Sequence, residues 1–259
     1  MADADAVRDA GILTSASPTP EPVAPAPVAG EMSLVDHLVE LRNRIFKILI
    51  AVAVCSVVGF LFGDQIVALL KAPLPGDKPL YFTGLGDAFV IKLKIAIVVG
   101  VIIAMPIVLY QLWAFISPGL TAEERKVARP WIPLALVFFA IGTVIAYVIL
   151  PFAAGFLVGF STADLQPLIT AGDYFSFVTT MFLAFGLIME FPIILFGLSR
   201  VGIVTSKRLT DARRPAILGI AIFATAITPG GDLVSPTVLG VTMYILFEGT
   251  IFFIRRSGK

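Results

Sequence analysis

Two apolar runs, about Leu93–Leu112 and Trp131–Phe152, flank the polar stretch Tyr110–Pro130, YQLWAFISPGLTAEERKVARP. At about 1.5 Å per helical residue, some twenty residues reach across a hydrocarbon core of ~30 Å, so this segment reads as two membrane-crossing helices joined by a compact turn. Tyr110 and Trp113 stand where the first run ends and Trp131 where the next begins, the position amphipathic rings take at a membrane–water interface. Pro118-Gly119 breaks the helix, and Thr121 with Glu124 has the T-x-x-E spacing of a capping box. Arg125, Lys126 and Arg129 follow, which makes the turn short, basic and suited to docking.

The rest of the chain repeats the pattern. Apolar residues make up 58% and charged residues 14% of the 259, with mean hydropathy +0.97, which excludes an ordinary soluble domain. Residues 1–30 are rich in Pro and Ala, with four acids, and are expected to be a disordered tail; they lack the pattern of a secretory signal or transit peptide and are expected to be retained. The body of the protein is assigned to residues 31–254, and 255–259 form a short basic tail. Ser33 is a candidate N-cap for the amphipathic segment SLVDHLVELRNR, which runs into a first span over Ile45–Gly63. Residues 64–90, punctuated by Pro73, Pro75 and Pro79, read as a cap on the far side with a short interfacial helix over Gln65–Leu70. Later spans are expected at Tyr174–Leu198, Pro215–Ile227 and Pro236–Ile254, with kinks at Pro106 and Pro192. The fifth is only thirteen residues, about 20 Å, and predicts a locally thinned bilayer.

Charge sets the orientation. Of 19 Lys and Arg, 15 lie at the two termini, in the loop 114–130 and in the loop 200–214, which places those segments in the cytoplasm by the positive-inside rule. A single cysteine, Cys55, lies inside an apolar span, and His37 is the only histidine. That leaves no ligand set for a zinc site and no Ser/His or Cys/His constellation for catalysis, so neither metal, cofactor nor enzymatic activity is expected.

Few acids remain as candidates. Glu40 and Glu124 both lie on the cytoplasmic side, where paired carboxylates suit a guanidinium-bearing partner. Each also has a purely structural reading: Glu40 supports Arg44 one turn on, and Glu124 completes its capping box. Glu190 lies deep in the fourth span, where an ionisable group costs on the order of 3 kcal/mol and persists chiefly when it faces protein or a wet cavity. Glu248, a turn from the end of the last span, is expected to snorkel or to pair with a neighbouring base.

In this order the fragments SLVDHLVELRNR, Ala72-Pro73, PIVLYQLWAFISPGLTAEERK, YFSFVTTMFLAFGLIMEFP, the turn Thr228–Asp232 and LFE at 246–248 resemble the TatC family, the multispanning receptor component of the twin-arginine protein translocase. The resemblance covers about Ser33–Ile254. It implies an all-α membrane protein, six transmembrane helices in a glove-like bundle with both termini cytoplasmic, in the inner membrane of a prokaryote. It further implies that Glu40 and Glu124, with Phe115 beside them and Arg42 in the matching segment, bind the paired arginines of signal peptides on folded cargo proteins. The family's membrane-embedded acid falls on Glu190 and its far-side acid on Asp232; Pro236 departs from a position that is often polar. Single-span TatA- and TatB-like subunits are the implied partners in a hetero-oligomer within the lipid bilayer, and nucleic acid is not. The competing readings are a proton-coupled solute transporter using Glu190 and an intramembrane enzyme. The first lacks an internal repeat and a set of intramembrane polar groups, the second a catalytic constellation.

Overall fold

The structure is a computed structural model that describes residues 34–76, 79–162, 164, 166–200, 202, 204–229 and 231–256. The tail assigned to 1–30, the Ser33 cap and residues 257–259 lie outside the described residues. Two compact units divide between Leu38 and Val39; of the first, only Leu34–Leu38 is described, as the opening turn of the first helix.

Among the described residues the architecture is helical: α1 (Leu34–Leu61), α2 (Gly63–Lys71), α3 (Asp87–Ile116), a 3-10 turn (Ser117–Gly119), α4 (Ala122–Ala128), α5 (Trp131–Val158), α6 (Ala171–Ile188), α7 (Phe191–Arg200), α8 (Ser206–Asp211), α9 (Arg213–Ile227) and α10 (Val234–Arg256). Among the described residues, five segments are long and apolar enough to cross a membrane: Val35–Leu61, Asp87–Gly119, Trp131–Val158, Ala171–Ser199 and Val234–Arg256. The fifth run expected from the sequence is the helix α9, which at fifteen residues is longer than its apolar stretch because it reaches back to Arg213, yet spans only about 22 Å.

The core is organised around α6, twelve of whose eighteen residues are buried, among them Phe175, Val178, Met181 and Phe185. Aromatic and aliphatic side chains from α3, α5, α9 and α10 complete one continuous cluster with it. By contrast α1 leaves Ile45, Phe46, Leu49, Ile50, Val54 and Val57 exposed, an apolar surface that suits hydrocarbon. Where α1 does meet α3, small residues let the backbones approach. A Cβ added to Gly59 would stand 2.9 Å from the Ala96 carbonyl oxygen, and one on Gly100 2.7 Å from the Ser56 amide nitrogen.

At the far ends of these helices α2 closes the bundle, a helix that the sequence places over Gln65–Leu70. Its last carbonyls, which have no partner within the helix, are met by tyrosines: the Tyr174 hydroxyl donates to Leu70 O at 2.7 Å, and the Tyr147 hydroxyl to Leu69 O at 3.5 Å. Backbone bonds from Tyr81 N to Ile169 O (3.1 Å) and from Ala171 N to Tyr81 O (2.8 Å) tie the two connecting loops together.

The prolines act differently from one another. Helix α3 runs on through Pro106 and α5 through Pro151. The fourth span is instead interrupted: α6 stops at Ile188, Met189-Glu190 form a turn, and α7 restarts at Phe191. Pro192 supplies the reason, since it has no N–H for the Ile188 carbonyl and its ring crowds the preceding turn. The loop read only as basic also contains α8, opened by Thr205, whose hydroxyl accepts from Arg208 N at 3.3 Å.

Candidate functional site

At the end of the bundle opposite α2, two acids are set by different local devices. Glu40 lies one turn before Arg44 on α1, and the Arg44 guanidinium holds it: Nε donates to Glu40 Oε1 at 2.9 Å and Nη2 to the same oxygen at 2.5 Å. The third contact of that guanidinium crosses to α3, where Nη1 donates to Gln111 Oε1 at 3.2 Å. Both ion-pair side chains are about four-fifths covered, with exposures of 20% for Arg44 and 18% for Glu40. Phe115 is half-buried one turn beyond Gln111 on the same side of α3.

Glu124 is set by its capping box. Thr121 is extended at φ −64°, ψ 161°; its hydroxyl accepts from Glu124 N at 3.3 Å, and Glu124 Oε2 accepts from Thr121 N at 3.0 Å. Arg125 anchors the small helix to the end of α3 by donating from Nη2 to Ser117 O at 2.8 Å and from Nε at 3.2 Å. The turn is therefore pre-folded, as its spacing predicts.

The two faces of α3 differ in charge at this end. One face, with Tyr110, Trp113, Ala114 and Ser117, opens on a cavity of about 520 Å³ that is also walled by Arg125, Lys126 and Arg129. That cavity repels a cationic ligand, whereas the Gln111–Phe115 face adjoins a carboxylate already holding a guanidinium. Arg42 is exposed and, two residues from Glu40, lies about 200° around α1 from it, so the helix does not bring these two side chains together.

Glu190 is nine residues from the end of the Ala171–Ser199 segment, on the turn between α6 and α7. It is 7% exposed, covered by the chain itself, and its Oε1 is buried without a hydrogen-bond partner among the described residues. Asp232 is 3% exposed on the turn between α9 and α10; its Oδ1 accepts from Ser235 N at 2.5 Å, which caps the start of α10, while Oδ2 is buried without a partner among the described residues. Gly231, at φ +69°, supplies the left-handed residue that this turn requires. Glu248 pairs as expected, its Oε2 lying 2.6 Å from Arg213 Nη2, with the Tyr244 hydroxyl 3.4 Å from Oε1. Gln111 is the feature that reading the sequence misses, and the kink expected at Pro192 takes the stronger form of a break between α6 and α7. Gln111 carries one local sign, its spacing of four from Phe115 near the end of an apolar run. Among the described residues no three His, Cys, Asp or Glu side chains gather as a metal set.

A helical protein with several membrane-length spans and polar groups concentrated at the helix ends and at one intramembrane turn belongs to the class of polytopic membrane proteins. Residues 36–241 match the family described as Sec-independent protein translocase protein (TatC), and the chain belongs to the TatC family. The protein of that name from Frankia casuarinae is 40% identical over 232 residues, covering 84% of this chain; this chain spans only 64% of that relative's length. Its counterpart from Carboxydothermus hydrogenoformans is 36% identical over 223 residues, covering 85% of this chain and 92% of that protein. The Escherichia coli K12 protein is 34% identical over 227 residues, covering 86% and 88%. A crystal structure of a twin-arginine translocase receptor, TatC, in the detergent DDM superposes with a TM-score of 0.74 at 31% identity, covering 84% of this chain and 99% of that one. The chain is thus a membrane protein of a protein translocase.

Proposed function

We propose that this chain is the receptor subunit of a twin-arginine translocase in the cytoplasmic membrane of a prokaryote. It crosses the membrane six times, α9 being a short fifth span, with both termini in the cytoplasm. Glu40 and Glu124 together hold the paired arginines of a signal peptide, with Phe115 beside them, and the membrane-embedded surface gathers TatA- and TatB-like single-span subunits around Glu190. The protein has no chemistry of its own: it recognises and scaffolds.

One observation carries the reading. The Glu40 carboxylate already binds a guanidinium through two hydrogen bonds, next to a helix whose end leads directly into the capped start that presents Glu124. Guanidinium–carboxylate recognition is the chemistry that separates arginine from lysine, because the planar fork donates two bonds at once. The test places a photoreactive residue at Phe115 in membranes. A peptide with two arginines crosslinks there and a twin-lysine peptide does not; equal crosslinking by both, or by neither, refutes the proposal.

A further inference from the structure

The guanidinium seen on Glu40 belongs to the protein and not to a ligand. Arg44 uses three donors at once, Nε and Nη2 on Glu40 Oε1 and Nη1 on Gln111 Oε1, in a setting where both charged side chains are largely covered. A bidentate ligand guanidinium needs both oxygens of the carboxylate, so it cannot bind Glu40 in that mode while Arg44 keeps its hold.

We propose that Arg44 is a specificity-determining residue: it occupies Glu40 in the resting site as an internal guanidinium that the first arginine of the ligand must replace. The inference rests on the reading of Glu40 as half of the arginine-pair site. Displacing Arg44 breaks three hydrogen bonds and returns its head group to water. A ligand arginine remakes the same planar fork on Glu40 with Gln111 at hand, so the exchange comes close to balance. A ligand lysine does not, because an ammonium is a point donor that cannot span the carboxylate and the amide together, and it gives up a stronger hydration shell. Net affinity then has to come from the second arginine, on Glu124. Arg44 thereby converts a carboxylate that would attract any cation into one that admits guanidinium and demands a pair, which is specificity gained through a competing interaction.

The alternative role for Arg44 is to orient Glu40 for the ligand, and it predicts the opposite sign. The full chain in lipid nanodiscs is titrated with fluorescent signal-like peptides carrying Arg-Arg or Lys-Lys. Arg44→Met keeps the apolar stem and removes the head group. It is expected to raise affinity for both peptides, and for Lys-Lys more, so that the Arg-Arg to Lys-Lys affinity ratio falls by about tenfold, the factor that ~1.4 kcal/mol carries. An unchanged ratio, or weaker Arg-Arg binding, overturns the proposal. Arg44→Lys retains the charge but cannot make the three-point hold; it is expected to shift the ratio in the same direction by less, and it decides alone if Arg44→Met does not fold. A wild type that binds the two peptides equally overturns the reading of the site and this inference with it. A wild type and variants that discriminate equally overturn the role of Arg44 alone.

Discussion

Thr121 and Glu124 hold each other in place: the threonine hydroxyl accepts from the Glu124 amide, and the Glu124 carboxylate accepts from the Thr121 amide at 3.0 Å. The position of Glu124 is therefore set by one local motif, and its structural role can be separated from its charge by mutation. Thr121→Val removes the hydroxyl and is expected to cost α4 about 1 kcal/mol. Hydrogen exchange over Ala122–Ala128 should show lost protection there, with the long helices unchanged.

Glu190 has a buried Oε1 that makes no hydrogen bond among the described residues, so removing the carboxyl forfeits no bond of that oxygen. Glu190→Ala is expected to insert and to unfold within about 1 kcal/mol of the wild type, since a buried carboxyl without compensating bonds is itself a cost. If its role is to meet a partner subunit, the same variant loses most transport. Normal transport by Glu190→Ala would show that the acid is a passenger.

Tyr174 holds the end of α2 to the bundle through one buried bond, its hydroxyl donating to Leu70 O at 2.7 Å. Tyr174→Phe leaves that carbonyl without its donor and should cost about 1–3 kcal/mol in thermal or denaturant unfolding. The Phe ring fills the same space, so a loss of that size reports the hydrogen bond and not packing.

Much of this was legible from local pattern. Five membrane-length segments follow from apolar run length and the capping box from a spacing of three, while for Glu248 the sequence left snorkelling and pairing both open. What escaped depends on contacts between distant segments or on helix length. Arg44 and Gln111 meet across 67 residues of sequence, which no periodicity reveals. Pro192 announced a kink, but Pro106 and Pro151 sit in helices that continue, so proline alone does not say which span breaks at Met189-Glu190. Arg42 followed from the family motif, and helical geometry turns it away from Glu40.

The shortness of α9 has a consequence for the bilayer. Fifteen residues reach about 22 Å against a ~30 Å core, even with the helix extended back to Arg213. We expect the membrane to thin beside α9 and the following turn to lie below the ordinary far-side interface. Spin labels at Gly231 and Asp164, with depth measured in a bilayer, should place Gly231 deeper; equal depths with no thinning of the surrounding lipid would refute this.

If Glu40 and Glu124 bind an arginine pair through charge, Glu124→Gln must weaken the binding of a twin-arginine peptide while α4 stays folded. Gln satisfies the capping box, so helix and position are kept while the charge is lost. The expected loss is about 1.5–3 kcal/mol, roughly ten- to a hundredfold in Kd, with a similar loss for Glu40→Gln. Wild-type affinity in Glu124→Gln would contradict this role of charge.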